Sequence, residues 1–343
     1  MAGVNFIIDR VDPMTLDLET AERMAEIDRA SLDAAGLDLP APVGPTKLTS
    51  LQLTSDCRPV EGLWLARDDD RRVIGHVAVE LPWRDNTDTA NLRGTVHPAA
   101  RRRGVGRALV DQAVTAARDA GRPKFYAGAY EGCDGVPVLT KLGFSSTGLG
   151  VNAVRRVDVH GAPAGLWDRL YAEARADAAA YELVHQIGPT PDNMIDGMVT
   201  LHEAINDAPL DDPDLEADAW DADRVRSYDR AMAGRRQTVY RTMARHKETG
   251  DWAGLSMLCV DEFSPGIAFQ EDTSVVRAHR GHRLGLLMKT DMLRWIGQER
   301  PEVSATDTWN ATTNHHMIAV NEKLGATVVA HHVSFRLVTA LSP

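Results

Sequence analysis

The fold is decided by two stretches of the chain: Thr95–Leu109, which reads TVHPAARRRGVGRAL, and Ser274–Met288, which reads SVVRAHRGHRLGLLM. In each, an apolar strand runs through a short basic turn into a helix with apolar residues on one face. The second copy starts 179 residues after the first, at position 274 against 95. A Lys-Leu-Gly step follows each copy, at Lys141 and at Lys323. An internal repeat of this kind predicts two similar domains in series.

The periodicity around the repeat sets the limits of the two predicted domains. We predict an N-terminal domain over 1–165, a linker helix over 166–180 and a C-terminal domain over 181–343. The stretch Gly161–Gly165, which reads GAPAG, begins the connector. Strands and helices are mixed in both halves, so the predicted fold class is α/β (α+β). A chain of 343 residues is long enough for two cores of ordinary size.

The composition indicates which cellular compartment and which kinds of partner the protein is expected to have. The net charge of −11 disfavours nucleic acid as a partner, because phosphate binding needs a basic surface. An acidic surface suits a cationic small substrate, and it equally suits solubility alone. The three isolated cysteines (Cys57, Cys133 and Cys259) are typical of a reducing cytoplasm and form no zinc pattern. The sequence contains no apolar run of membrane-spanning length, so we expect a cytoplasmic protein without a membrane partner. Monomer and homodimer both remain open.

The basic turn of the first copy has the chemistry of an anion site. Arg101-x-x-Gly104-x-Gly106 lies between a strand and a helix. Glycines allow a tight turn in which successive N–H groups point into one concavity. Together with the positive end of the following helix, those groups can bind a pyrophosphate. A helix-starting turn with a solvated basic face is the alternative.

The segment Val96–Ala108 resembles motif A of the GNAT N-acetyltransferases, whose signature is Arg/Gln-x-x-Gly-x-Gly/Ala. The resemblance implies two consecutive GNAT folds, each a mixed, mostly antiparallel sheet flanked by helices. It also implies acetyl-coenzyme A (acetyl-CoA) as the acyl donor. The two-domain arrangement resembles that of tandem GNAT enzymes such as mycothiol synthase. By this resemblance the donor-binding residues are Val96, Arg101, Arg103, Gly104, Val105, Gly106 and Arg107 in the first half, and Val275, Val276, Arg280, Gly281, His282, Arg283, Leu284 and Gly285 in the second.

The second copy departs from the motif at one position. Arg283 occupies the place of the first signature glycine. A side chain is tolerated there if the backbone keeps a negative φ, and the nearby Gly281 can supply the flexibility instead.

Acetyl transfer to an amine needs a group that accepts a proton, and the second half offers two. The strand before its basic turn contains Glu271 and Asp272, whereas the matching stretch Thr89–Val96 has no carboxylate. Strand alternation sends the two side chains to opposite faces, and Glu271 shares a face with Thr273. We therefore predict Glu271 as the general base, with a solvent-facing carboxylate as the alternative. The first domain is predicted to be degenerate in catalysis.

The stretch after the next strand resembles GNAT motif B. There Asn314 is predicted to contact the pantetheine of acetyl-CoA, to cap a helix, or both. Met317 and Asn321 follow at helical spacing on the same face. Many GNAT members have a tyrosine at the place of Asn321, where it acts as general acid. Asn321 can donate a hydrogen bond to the leaving sulfur but has no proton to give up.

The acceptor site in GNAT folds is bounded by the loop after the first helix, which is acidic in the second half. We predict that Asp207, Asp211 and Asp212 favour a cationic acceptor. Trp220 and Trp309 form either an apolar wall of that site or part of the core. The predicted function is transfer of an acetyl group to a primary amine of a small, cationic molecule by direct attack on the thioester, without a metal. A protein or peptide acceptor, and a non-catalytic acyl-CoA sensor, are the alternatives.

Overall fold

The computed structural model describes residues 5–54, 57–207 and 214–339. They form two compact units. Unit 1 holds the described residues of 1–152, 211–216 and 330–343, and unit 2 holds those of 153–210 and 217–329. In chain order the elements are β1 (Ile7–Val11), α1 (Leu18–Ala34), α2 (Gly44–Gln52), β2 (Val60–Arg67), β3 (Val73–Glu80), β4 (Thr89–Val96), α3 (Val105–Asp119), β5 (Lys124–Tyr130), α4 (Gly135–Lys141), β6 (Ser145–Asp158), α5 (Leu166–Asp177), β7 (Tyr181–Ile187), α6 (Ile195–Glu203), α7 (Ala222–Gly234), β8 (Gln237–His246), β9 (Trp252–Asp261), β10 (Ile267–Val275), α8 (Leu284–Glu299), β11 (Ala305–Ala311), α9 (His315–Lys323) and β12 (Thr327–Val338).

Unit 1 is built on a sheet of order β1-β2-β3-β4-β5-β12. Its strands are antiparallel to their neighbours, except that β4 and β5 run parallel. The apolar face of α3 presents buried Leu109, Ala113 and Ala117 to this sheet. Phe125 of β5 and Phe335 of β12 belong to the same buried cluster. Apolar residues at helical spacing therefore meet the sheet as the sequence pattern predicts.

Unit 2 repeats this plan with the order β6-β11-β10-β9-β8-β7, in which β10 and β11 run parallel. Alternate residues of β9 serve two cores. Leu255 and Met257 pack with α6 and α7, whereas Leu258 packs with Met292 of α8. The helices thus cover both faces of a sheet whose strands alternate between them.

The expected fold class is confirmed: each unit is a mixed, mostly antiparallel sheet flanked by helices. The unit limits differ from the predicted division at 165. Residues 153–165 belong to unit 2, and the described residues from 330 to 339 belong to unit 1, where 332–338 pair with β5. Local periodicity does not indicate which strands pair when they are far apart in sequence. It therefore could not predict that the last strand belongs to unit 1. Within the described ranges, no helix has the length and hydrophobicity that a membrane crossing needs.

Candidate active site

The two basic turns have the same backbone conformation, with two left-handed residues each. Glycine occupies the second of these positions in the first turn and the first of them in the second turn. In unit 1 the left-handed residues are Arg102 (φ 62°) and Gly104 (φ 86°), and in unit 2 they are Gly281 (φ 88°) and Arg283 (φ 53°). The negative φ named as the condition for a side chain at 283 is therefore not met, and Arg283 is left-handed, as Gly104 is in the first copy. The expectation that Gly281 supplies flexibility agrees with its φ. Each turn contains one arginine in a conformation that costs side-chain-bearing residues about 1–2 kcal/mol.

The first arginine of each turn is a structural brace. The Nε atom of Arg101 donates to the carbonyl oxygen of Val96, and that of Arg280 donates to Val275, each at 3.1 Å. Both guanidinium groups also meet a carboxylate, since Arg101 pairs with Asp134 and Arg280 with Asp207. These side chains therefore hold the end of β4 or β10 against its turn and do not occupy the backbone amides of that turn.

Those amides lie at the N-termini of α3 and α8, which have no side-chain cap within the described residues. No side chain caps α3 or α8. A Cβ atom placed on Gly104, Gly281 or Gly285 would meet no other atom within 4 Å. The concavity is thus open, and the first-turn N–H groups have no intrahelical acceptor. At the second turn, Arg283 pairs with Asp177, and the ring of His282 packs at 5.3 Å on Tyr181. At the first turn, Arg103 and Arg107 are exposed cations.

A splay between parallel strands lies in front of each turn. Thr89–Leu92 of β4 pair with β5, and Ile267–Gln270 of β10 pair with β11. Neither pairing continues to the end of β4 or β10. The last residues of β4 and β10 therefore present backbone groups toward a gap, next to the basic turn.

The strand β10 contains a bulge that β4 lacks. Against β9, Gln270 pairs with Leu258 and Thr273 pairs with Ser256, so one extra residue is inserted at Glu271 or Asp272. The corresponding part of β4 pairs with β3 in regular register. A bulge breaks strand alternation and redirects side chains. The expectation that Glu271 shares a face with Thr273 is therefore wrong: Thr273 contacts Ser256, whereas Glu271 contacts α7.

The bulge opens a cleft of about 400 Å³ at the mouth of the β10/β11 splay. Its lining includes both carboxylates, Glu271 and Asp272, and two aromatic rings. The rings of Phe269 and Trp309 stack at 5.9 Å, and Trp309 is 38% exposed. Two carboxylates beside an exposed aromatic face suit an ammonium group.

Glu271 is held by a tyrosine from α7. The hydroxyl of Tyr228 donates to Oε2 of Glu271 at 2.5 Å. Burial, and then the Glu271 carboxylate, raise the pKa of Tyr228 well above its ordinary value. Tyr228 therefore stays protonated and acts only as a donor to the carboxylate.

The comparisons with known proteins agree with this geometry. Residues 25–144 match the family model described as the acetyltransferase (GNAT) family. The structure is similar to that of a tandem GNAT protein from the clavulanic acid biosynthesis pathway, with 26% identity and a TM-score of 0.81 over 99% of this chain and 100% of that chain. Residues 25–144 therefore carry a GNAT acetyltransferase domain, and the whole chain is similar in structure to a tandem GNAT protein. It is also similar to a GCN5-related N-acetyltransferase from Sphaerobacter thermophilus, with 15% identity and a TM-score of 0.67 over 98% of this chain and 96% of that one. A search of curated proteins gives no match.

Enzymes of the GNAT family generally use acetyl-CoA, and the residues of this chain fit that donor. Open glycines and uncapped helix N-termini suit a pyrophosphate, and the splayed strands offer backbone groups to a pantetheine arm. The family model covers the half with the consensus turn, which is the half without a carboxylate on β4. The match thus follows the turn rather than the candidate base.

The residues that resemble motif B have partners within unit 2. Asn314 caps α9, because its Oδ1 accepts from the backbone N–H of Met317 at 3.2 Å. Met317 packs on the core formed with α5 and α8. Asn321 is 1% exposed, and its amide nitrogen donates to Oδ1 of Asn310 at 2.6 Å. One of its two N–H groups is therefore engaged within the protein.

The predicted acceptor residues fall in different places. Asp207 follows α6 and forms an ion pair with Arg280, so it lies at the second turn. Asp211 and Asp212 lie outside the described residues. Trp309 lines the cleft, whereas Trp220 stacks on His202 in the core. No group of metal-binding side chains occurs among the described residues.

Sequence reasoning missed two residues of this site, Tyr228 and Asn310. Tyr228 lies on α7, whose start is marked by Asp221: its side chain accepts from the N–H of Arg224. An N-cap aspartate three residues before the N–H that donates to it is a usable signal for that helix. No local signal connects Tyr228 with Glu271, which lies 43 residues further along the chain.

Proposed function

We propose that unit 2 transfers an acetyl group from acetyl-CoA to a primary amine of a small, cationic molecule. The N–H groups of the second turn and the start of α8 would bind the pyrophosphate. The unpaired part of β10 would bind the pantetheine arm through its backbone. Acetyl-CoA supplies the acyl group as an activated thioester, and the chain supplies position and proton transfer.

Glu271 is the proposed general base. Its carboxylate lies at the mouth of the splay, where the acceptor nitrogen must approach the thioester. There it accepts a proton from the acceptor ammonium, so that the neutral amine attacks. Asp272 and Trp309 attract and orient the cation from the other sides of the cleft.

The observation that supports this proposal best is the bulge in β10. It directs a carboxylate into a 400 Å³ cleft beside an anion-binding turn. That volume suits a small molecule better than a folded protein surface. No protein acid is assigned to the leaving thiolate, because the carboxamide of Asn321 cannot give up a proton near neutral pH; solvent in the open cleft supplies that proton.

Unit 1 is proposed to bind acetyl-CoA without transferring its acetyl group. Its turn has the family consensus and open glycines, but β4 has neither a bulge nor a carboxylate. This asymmetry favours a sensing or structural role for unit 1 and the reaction for unit 2.

The test is Glu271→Gln, which keeps the shape of the side chain and removes its basicity. We expect kcat to fall by about 10²–10⁴-fold while the Kd of acetyl-CoA stays unchanged, because the turn is untouched. Thiol release is measured against polyamines, aminoglycosides, amino acids and peptides, and acetyl-CoA binding by calorimetry. Asp272→Asn is the matched control, with an increase in amine KM and a smaller loss of kcat. Full activity of Glu271→Gln would remove Glu271 from the mechanism, and binding without turnover on any amine would favour the sensor.

A further inference from the structure

The carboxylate of Glu271 has a partner whose position implies a function. Glu271 is exposed and sits on a bulge, where a flexible side chain would populate several rotamers. Tyr228 is 6% exposed and belongs to α7, an element packed against α6 and β8. A fixed donor thus meets a mobile acceptor. We propose that Tyr228 is a positioning residue whose hydroxyl holds the Glu271 carboxylate in its anionic form and directs it into the cleft. This inference rests on the proposed role of Glu271.

The ring of Tyr228 is fixed by its surroundings. The indole of Trp220 lies 6.4 Å from it edge-on, and the ring of His202 lies at 6.1 Å. The guanidinium carbon of Arg241 lies 6.0 Å from its centroid, within cation–π range. Arg241 is itself paired with buried Asp229 at 2.6 Å. With the ring constrained from these sides, the hydroxyl has a defined direction, which is toward Oε2 of Glu271.

Electrostatics determines the direction in which this hydrogen bond shifts the pKa of Glu271. A hydrogen bond donated to a carboxylate favours the anion and lowers its pKa. Loss of the donor should therefore make Glu271 easier to protonate. A tyrosine is suited to this task because burial and the carboxylate raise the pKa of its hydroxyl well above the ordinary value, so that it keeps its proton.

The other titratable groups around Tyr228 and Glu271 come from the neighbouring elements α6, α7, β8, β9 and β10. From β8 comes Arg241, whose charge is balanced by Asp229 of α7. From β9 comes Cys259, whose thiol pKa is raised well above its ordinary value by burial and then by Glu271, so the thiol is neutral. From α6 comes His202, whose pKa is lowered to about 3 by burial and then by Arg241 and Arg224. The adjacent Asp272 is the remaining carboxylate of the cleft. At neutral pH none of these replaces Tyr228 as a hydroxyl donor.

The direct test measures the ionisation of Glu271 without any substrate. The full chain is labelled with glutamate carrying ¹³C at the side-chain carboxyl, and the Glu271 signal is assigned by its absence in Glu271→Gln. In Tyr228→Phe we expect the carboxyl pKa of Glu271 to rise by about one unit. The matched control is Tyr240→Phe, which also removes a buried hydroxyl in unit 2, but one that accepts from Arg300 at 3.2 Å. Circular dichroism confirms that both variants fold.

An identical Glu271 titration in wild type and Tyr228→Phe would overturn the inference, as would an equal shift in Tyr240→Phe. The kinetic readout separates this failure from failure of the proposed function. With acetyl-CoA and the accepted amine, Tyr228→Phe should lower kcat by about tenfold, leave the KM of acetyl-CoA unchanged and move the acidic limb of the kcat/KM profile to higher pH. Absence of wild-type turnover on every amine would refute the proposed function, while the carboxyl titration would still decide the role of Tyr228.

Discussion

His202 is buried against Trp220 at a ring separation of 3.9 Å, and neither of its ring nitrogens has a hydrogen-bond partner among the described residues. Burial, and then the charges of Arg241 and Arg224, lower its pKa to about 3. In the unfolded chain the pKa returns to about 6.5, so between these values the unfolded state binds the extra proton. The stabilisation from neutral His202 is therefore complete above pH 6.5 and is lost as the pH falls toward 3.

This residue gives a prediction about pH and stability. Between pH 7 and pH 5 the free energy of unfolding should drop by about 2 kcal/mol through His202 alone. His202→Phe keeps a ring on Trp220 and should remove that part of the pH dependence. Urea unfolding at the two pH values measures it, with exposed His316→Ala as the control. A wild-type pH dependence retained in His202→Phe would contradict the assignment.

At the residue scale, the sequence predicted which residues form the site better than it predicted where their side chains point. The open turns and the presence of Glu271 at the cleft could be predicted, because glycines and carboxylates at those spacings have few uses. Its contact with Tyr228 could not, since the bulge changes which face Glu271 points to. The left-handed Arg283 was also missed, because a motif lists residues and not the φ angles that two different residues can share.

At the element scale, the helices that follow the two turns are equivalent in backbone and differ in their neighbours. Gly106 of α3 and Gly285 of α8 occupy the same place in the first turn of each helix. A Cβ on Gly285 meets nothing within 4 Å, and one on Gly106 meets only Val96, at 3.7 Å. The protein itself therefore tolerates a side chain at either position, whereas a bound pyrophosphate would not.

An aspartate at these positions separates binding from folding. Gly285→Asp and Gly106→Asp should each leave stability unchanged or raise it by about 0.3–1 kcal/mol, because a negative charge suits a helix N-terminus. Each should weaken acetyl-CoA binding at its own turn by about tenfold or more through repulsion. We expect Gly285→Asp to abolish turnover and Gly106→Asp to remove one binding event in calorimetry while turnover persists. The reverse pattern would assign the reaction to unit 1.

The elements themselves were largely predictable from the sequence. Strong periodicity predicts a strand over 181–187 and a helix over 283–298, and β7 (Tyr181–Ile187) and α8 (Leu284–Glu299) lie within one residue of these bounds. Two helices, α2 and α7, were missed. The nine-residue α2 begins with Gly44 and Pro45, which also signal turns, and the 13-residue α7 is rich in charged residues, which mask its apolar period. The bulge in β10 was missed because it contains no glycine or proline to mark it.

At the scale of the whole molecule, the composition of each unit depends on residues far apart in the chain. Residues 332–338 pair with β5, and Val333 and Phe335 are buried in the core of unit 1 together with Phe125. The last strand of the sequence thus completes the unit that contains the first strand. Local patterns predicted two units but could not assign this strand, because an antiparallel edge accepts any strand of suitable alternation.

The assignment of β12 predicts which unit a core substitution weakens. Phe335→Ala removes a ring that is 3% exposed, and such truncations cost about 3–5 kcal/mol. Although residue 335 lies near the end of the chain, hydrogen exchange should accelerate at the amides of β3 and β4, with β8 and β9 unchanged. Met243→Ala, which truncates a fully buried side chain of β8, is the reciprocal control and should accelerate exchange in β8 and β9 alone. If Phe335→Ala instead loosened β8 and β9, its ring would stabilise unit 2, and the exchange of the C-terminal strand would be wrong.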